Sequence, residues 1–519
     1  MAILRRGVFN ASVASGEWAC GVGGVGAPRV DGGEVLAMTS GAPGGPHVRV
    51  GRLPEGNGTL TVTGAGSAVE VTAAGSTVPG EGAALQIGRD AAVGLVRVLD
   101  GGALRIVDPA LPASPFAGGE EFVNVGRAGT GTLVLRAGEV ELRGTGAGMN
   151  IGSEGGTGRL TVAESSQLSL VSAAPGPGHL AVLRIGPDGG TGSTKLDRST
   201  VVVENRGAFE ACVAVGREAT GRLEILGTGA ADHGLFLHGG SDSFAFLDIG
   251  RGPGGDGRVA ASGATLRLQN DGVGFDGVLR GEGGQAVAMI GRDGGRGSLE
   301  LAEGALPLLD GTVAFLDVGL GGGLGRLSAD AATIRVDGGD DFAAVAVGWG
   351  GGARGEVTLA KRSVATVTGL GTALAVGFDG GESGGTFALA TSALTLRGDE
   401  IAQVALGSSP FFGAFEPGLG ALEMTRRATL TIEGGSEARL DIDGGPGGIG
   451  AMSVARNASV VLAAAEEARV RIGFDGGTGG LALSGAPRSP AATSPRWAGA
   501  ADPAACRWPA GRGSGAMAR

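Results

Sequence analysis

The residues best suited to chemistry in this chain are scattered acids, a few histidines and a recurring glycine turn. Asp340-Asp341 and the pair Asp441 and Asp443 are the candidate acids, each pair close in sequence. Glycoside cleavage uses such a pair, one member as acid and one as base or nucleophile. Neighbouring residues of a strand face opposite ways, so Asp340 and Asp341, which follow Gly338-Gly339, read better as a polar turn. Asp441 and Asp443 have the spacing of one strand face, although Asp443 stands where related segments carry glycine. His233 and His238 lie five apart inside an insert, with no Cys or His partner nearby in sequence. No Ser/His/Asp spacing stands out, and no catalytic residue is assigned.

The glycine turn is Ile151-Gly-Ser-Glu-Gly-Gly-Thr-Gly-Arg-Leu-Thr-Val162. A phosphate loop needs a following helix and, in the nucleotide type, Lys-Ser/Thr. Here an alternating strand pattern follows instead. The motif also recurs, as Ile290 to Leu301 and Ile472 to Leu483, with looser copies from Val125, Ile185, Val215 and Val347. Calcium-binding β-roll repeats place an aspartate after the glycines. That position here is Leu160 or Leu299, and the acid precedes the glycines: Asp90, Glu154, Asp188, Glu218, Asp293, Asp379 and Asp475. An acid there is expected to hold an Asx-type turn, and no metal or cofactor is assigned. Cys20, Cys212 and Cys506 are too far apart in sequence to suggest a disulfide framework or a CxxC metal pair.

After the anchor glycine the chain carries Arg at 52, 89, 127, 217, 251 and 292, then Trp349, Phe378 and Phe474. Stacking of repeats would line these up along one edge. The arginines would then pair with neighbouring acids. The aromatics would cover the adjacent corner or offer a contact surface to a partner or glycan.

The elements that position these residues follow from the repeat. Glycine is 109 of 519 residues, yet the chain is 42% hydrophobic, which excludes a flexible linker. Anchors fall at Val50, Ile87, Val125, Ile151, Ile185, Val215, Ile249, Ile290, Val318, Val347, Val376, Leu406, Ile442 and Ile472, about 32 residues apart on average. Each unit reads as three short alternating strands, such as Leu160-Thr-Val162, Val140-Glu-Leu142 and Leu183-Arg-Ile185. Three strands and three corners in about 30 residues predict an all-β chain wound as a single-stranded parallel β-helix, a β-solenoid of about fourteen coils. Propeller blades need four strands and about 40–45 residues, and fit less well.

Residues 1–49 are expected to form a degenerate N-terminal coil or cap, 50–484 the solenoid, and 485–519 a disordered Pro/Ala/Arg-rich tail. An out-of-frame reading of GC-rich DNA would have the tail's composition. Net charge is −11, with five Arg against Asp502 in 487–519, so the remainder is −11 − 4 = −15. An acidic array disfavours nucleic acid and anionic membrane. No apolar run is long enough to span a bilayer, and Met1 to Gly7 does not open a signal peptide.

Val125-Gly-Arg-Ala-Gly-Thr-Gly-Thr-Leu-Val-Leu135 and Ile151 to Val162 resemble the repeats of autotransporter (type V secreted) passenger proteins and of PEP-CTERM-associated repeat proteins. The resemblance covers roughly 50–484. It implies a right-handed β-helix that is extracellular or outer-membrane-associated, a non-enzymatic adhesin or structural stalk with a host-surface, matrix or glycan ligand. The terminal sorting and anchoring signals of those families are not legible here. The alternative is a β-helical polysaccharide lyase or hydrolase, with a site built by the inserts at 227–243 or 276–285.

Overall fold

The computed structural model describes residues 3–4, 8–12, 17–40, 46–73, 82–107, 121–172, 180–207, 210–229, 232–240, 243–270, 284–380, 383–408, 418–444, 447–455, 457–474, 476–484 and 506–507. The insert Pro109 to Pro115, residues 276–283 and nearly all of the tail lie outside that set. The described residues contain strands and turns and no helix. They form a parallel β-solenoid of about thirteen turns. Two compact units are distinguished, Met1–Ala288 with Gly295–Leu299 and Ala305–Gly311, and Met289–Gly294 with Glu300–Gly304 and Thr312–Arg519.

In the first unit, each strand pairs in parallel with its counterpart one coil on. Thr130–Arg136 pairs with Val93–Leu99 before it and Thr157–Ala163 after it, with Leu133 opposite Val96 and Leu160. Val50, Ile87, Val125, Ile151, Ile185, Val215 and Ile249 form an inward ladder, each no more than 1% exposed. A buried aliphatic side chain of this size contributes about 1.5–3 kcal/mol. The ladder, repeated on each strand, is the core.

The corner explains the glycine motif. Gly126 has φ +77, and a Cβ there would lie 2.0 Å from the carbonyl oxygen of Thr157 in the next coil. A Cβ on Gly131 would lie 2.2 Å from the Gly126 nitrogen and 2.3 Å from the Ile87 oxygen of the preceding coil. Two glycines therefore face each other where the chain bends here between the third strand and the next first strand, and the same pair recurs at corners such as Gly88 with Gly94 and Gly152 with Gly158.

The N-terminal segment stacks in register despite its degenerate sequence. Glu17–Val22 pairs with His47–Arg52, with Cys20 opposite Val50, and Gly21 takes the anchor glycine's left-handed conformation at φ +69. In the second unit the same ladders run through Leu374, Val376, Val404, Leu406, Leu440 and Ile442. One departure from three separate strands occurs here. Val364–Phe378 and Ala393–Leu406 run on without a break, so the corner between second and third strands becomes a bulge at Gly369/Gly371. An extra residue in one strand bends the ladder without ending it. The small void beside Phe387 is lined by aliphatic residues, among them Leu316, Val345 and Leu359, and holds no more than about one water molecule.

One rung of the first unit's core is polar. Thr194 stands between Leu160 and Leu223, is 3% exposed, and its hydroxyl has no hydrogen-bond partner. Thr194→Val keeps the shape and removes the unpaired group. The expected result in urea unfolding is stabilisation by about 1 kcal/mol. A loss of stability would contradict this account of the rung.

Candidate functional site

The third strand of each coil differs from the other two. First strands alternate in burial, as in Thr130–Arg136, whereas Ala84–Arg89 and Phe342–Trp349 are buried on both faces over most of their length. The cause is a side chain three residues on, just past the anchor glycine, that folds back over the outward residue. Arg89 Nη1 donates to Gln86 Oε1 at 2.9 Å, and Arg251 Nη1 lies 3.9 Å from Asp248 Oδ2. In the second unit Arg292 Nη1 lies 3.2 Å from Met289 Sδ, while Trp349 and Phe378 pack on Ala346 and Ala375. The covering side chain is Arg over Gln86, Asp248 and Met289, and an aromatic ring over Ala346, Ala375 and Arg471. This i,i+3 pattern is present in the sequence and is the signal that reading the edge alone overlooks.

The arginine edge also pairs with acids as expected: Arg127 with Glu154 at 2.7 Å, Arg89 with Asp90 at 3.2 Å and Arg52 with Glu17 at 2.6 Å. Burial acts to raise the Glu17 carboxyl, but Arg49 and Arg52 outweigh it and hold it below its ordinary value. The aromatic edge is not a free platform. Trp349 and Phe378 stack at 5.5 Å and 15°, so each covers a face of the other, and Trp349 Nε1 donates to Asp379 Oδ2 at 3.1 Å.

The turn acids take a different role from the expected Asx cap. Asp90, Glu154, Asp188, Glu218, Asp293 and Asp379 all have left-handed φ between 51° and 61°, and Ala128 adopts 49° at the equivalent place. The backbone makes the inter-coil bonds, as Glu218 N–H donates to the Arg251 oxygen at 2.8 Å. The side chains of Asp90, Glu154 and Asp293 pair with Arg89, Arg127 and Arg292, and that of Asp379 accepts from Trp349. Asp475 lies outside the described residues. Among the described residues no group of three or more His, Cys, Asp or Glu converges to hold a metal.

A polar cluster on the outer face of the second unit contains one of the candidate acids. Ala393–Leu406, Glu437–Gly444 and Glu467–Phe474 bring Gln403, Asp441 and Arg471 together in successive coils. Arg471 clasps Asp441 through Nε–Oδ1 and Nη2–Oδ2, both 2.7 Å, and Gln403 Nε2 donates to Oδ2 at 2.7 Å. The Arg471 guanidinium lies 3.9 Å from the centre of the Phe474 ring, an attraction of about 1 kcal/mol. Beside it Glu437 pairs with Arg439 and with Arg469, and Arg439's hydrogen bond is the main reason its carboxyl lies below the ordinary range. With three donors on its two oxygens, Asp441 is engaged as an ion-pair partner rather than set free as a base.

Asp443 does not join Asp441. It occupies the anchor-glycine position with φ 61, is fully buried, and neither carboxylate oxygen has a hydrogen-bond partner. The backbones of Gly448 and Gly477 crowd it so closely that a Cβ on either would lie within 2.3 Å of a carboxylate oxygen. Burial pushes its carboxyl up to about 6, against the pull of the Thr478 backbone N–H, which is itself donated to the Gly448 oxygen. Asp317, buried on the outer face, is pushed up further to about 7 by burial, opposed by Arg292. Burial also raises the Cys20 thiol to about 11.

The remaining candidates are dispersed. Asp341 N–H donates to the Gly338 oxygen at 2.9 Å, so Asp340-Asp341 is the expected polar turn. His238 stands on an outward face between Glu204 and Gln269, and His233 precedes that strand, its carbonyl accepting from Thr265 N–H. Compared with known proteins, the chain matches no family model, no curated protein and no solved structure.

Asp443 generates a pH prediction. Its folded pKa lies above the ordinary aspartate value of about 3.9, so the folded chain holds more protons than the unfolded one between them. Stability therefore falls as pH rises from about 4 to about 6, and the loss persists above 6. Asp443→Gly restores the anchor residue and removes that loss. It is expected to stabilise at pH 7 by about 1 kcal/mol or more, and by less at pH 4. Denaturant titrations at the two pH values check this, and equal effects at both would contradict it.

Proposed function

We propose that this chain is a non-enzymatic, extracellular or cell-surface β-solenoid, an adhesin or structural stalk of the autotransporter-passenger kind. The observation that carries this reading is the pairing within the outer-face cluster: Asp441 is buried and most of its carboxylate lone pairs are taken by Arg471 and Gln403. A general base or nucleophile needs an accessible lone pair within reach of substrate. Asp443 is enclosed by glycine backbone, and His238 stands in register between Glu204 and Gln269. What the array presents instead is a regular outward surface of paired charges.

Such a surface suits broad contact with a matrix, a host surface or a glycan. A strongly acidic chain disfavours nucleic acid as partner. No helix of the described residues is long and apolar enough to cross a membrane. The competing reading is an enzyme acting on uronic-acid polymers.

Two measurements test the proposal. Purified full-length chain incubated with pectate, alginate and hyaluronan is expected to leave chain length unchanged, with no unsaturated uronate and no new reducing ends. Depolymerisation of any of them would replace this reading with the enzymatic one. External protease on intact producing cells is expected to cleave the chain, whereas cleavage only after lysis would remove the surface assignment.

A further inference from the structure

The chain holds seven asparagines, and they divide by environment. Four are built into the fold. Asn150 Nδ2 donates to Asn124 Oδ1 at 3.0 Å, and Asn124 is buried. Asn205 and Asn270 are buried, and each donates from Nδ2 to a backbone oxygen, of Glu210 and of Ser243. Each of these four is followed two residues on by glycine. Asn57 and Asn457 are exposed instead, and both stand in the triplet Asn-x-Ser/Thr, as Asn57-Gly-Thr59 and Asn457-Ala-Ser459. Asn10-Ala-Ser12 repeats the triplet, with its side chains outside the described set. On the surface of an exported chain that triplet is an acceptor for N-glycosylation.

Asn57 has the setting the modification needs. It opens the strand Asn57–Thr63, directly after a turn in which Gly56 N–H donates to the Leu53 oxygen. Residues two apart on a strand share a face. The Asn57 amide and the Thr59 hydroxyl therefore lie together on the outward side, while Gly58 between them is buried. The surface beside them is apolar. Val25 and Val93 are paired with Asn57 from the coils before and after, and are 87% and 47% exposed. Among the described residues no other large hydrophobic side chain is as exposed as Val25. In the next four coils the same position is Thr130, Thr157, Thr191 and Thr220. The two bare valines thus flank the acceptor, where an attached sugar would lie over them and turn its hydroxyls to water.

We infer that Asn57 carries an N-linked glycan that covers Val25 and Val93. The assignment rests on the chain being exported, as proposed above. The amide nitrogen of Asn57 attacks the anomeric carbon of a glycosyl diphosphate donor held by a transferase. A C–N bond forms as the anomeric C–O bond breaks. The diphosphate leaves with the electron pair, and the amide proton passes to a base of the transferase.

The experiment uses full-length chain purified from its producing cells. Trypsin releases the peptide Leu53–Arg89, in which Asn57 is the only asparagine. The expected result is a sugar mass increment on this peptide. A glycosidase that cleaves the glycosyl–asparagine amide should remove it and leave the side chain as aspartate. Full-length Thr59→Val from the same cells should lose the increment, and Thr59→Ser should keep it, because the triplet needs the hydroxyl. An unmodified peptide, or an increment that survives Thr59→Val, overturns the proposal. External protease on the same cells separates this inference from the surface reading. A bare Asn57 on a chain that the protease reaches overturns the glycan and leaves the surface reading standing. A bare Asn57 on a chain cleaved only after lysis overturns both.

Discussion

Everything in this structure depends on how closely the chain can pass itself at the glycine corner. Parallel strands in successive coils must sit about 4.8 Å apart, and the bend into each first strand has to fit inside that spacing. Gly126 and Gly131 show how: one is left-handed, and both lack the atom that would strike a carbonyl of an adjacent coil. Once the corner is fixed, register follows. A slip by one residue would turn every ladder residue outward, so corner and core reinforce each other.

The outer face is organised by the same bend. Because the residue after the anchor glycine leaves the corner pointing back along the third strand, it lies over the residue three before it. That placement gives the strand a second buried face without a second sheet. It also decides what the exposed chemistry can be. Arginines laid over Gln86 or Asp248, and rings laid over Ala346 and Ala375, are committed to covering the fold. Asp441 and Arg471 extend the pattern into an ion pair across coils. Charged side chains so engaged stabilise position and orientation more than they offer reactivity. Asp443 is the exception that marks the rule, a carboxyl placed where the corner accepts glycine and left without a partner.

Much of the architecture was legible in the sequence because the fold writes itself periodically. Alternating Leu and Val in short runs, punctuated by Gly-x-Gly, gave strands, corners and the anchors from Val50 to Ile472. A degenerate coil was expected before Val50, but its anchor escaped because it is Cys20, which does not look like Val or Ile in a pattern search yet packs in the same place. The continuous strands at Val364–Phe378 and Ala393–Leu406 escaped because a bulge and a turn share the same glycines. For the site, the expected polar turn at Asp340-Asp341 appears, and the arginine edge does pair with acids. The separation of Asp441 from Asp443 was not readable from spacing alone. Two residues apart means one face only if the backbone is extended, and Asp443 is left-handed. The i,i+3 cover was visible as Gln86/Arg89 and Ala346/Trp349, but its meaning required knowing that the chain folds back after the glycine.

The most direct test of the corner separates close approach from backbone conformation. Gly126 and Gly155 share nearly the same left-handed φ, +77 and +75, but a Cβ on Gly126 meets the Thr157 carbonyl while one on Gly155 meets nothing within 4 Å. Gly155→Ala carries only the conformational cost of about 1–2 kcal/mol, and Gly126→Ala carries that cost plus the clash. Urea unfolding of the two full-length variants should show a small loss for the first and a loss of several kcal/mol, or failure to stack, for the second. Equal losses in the two variants would contradict the account.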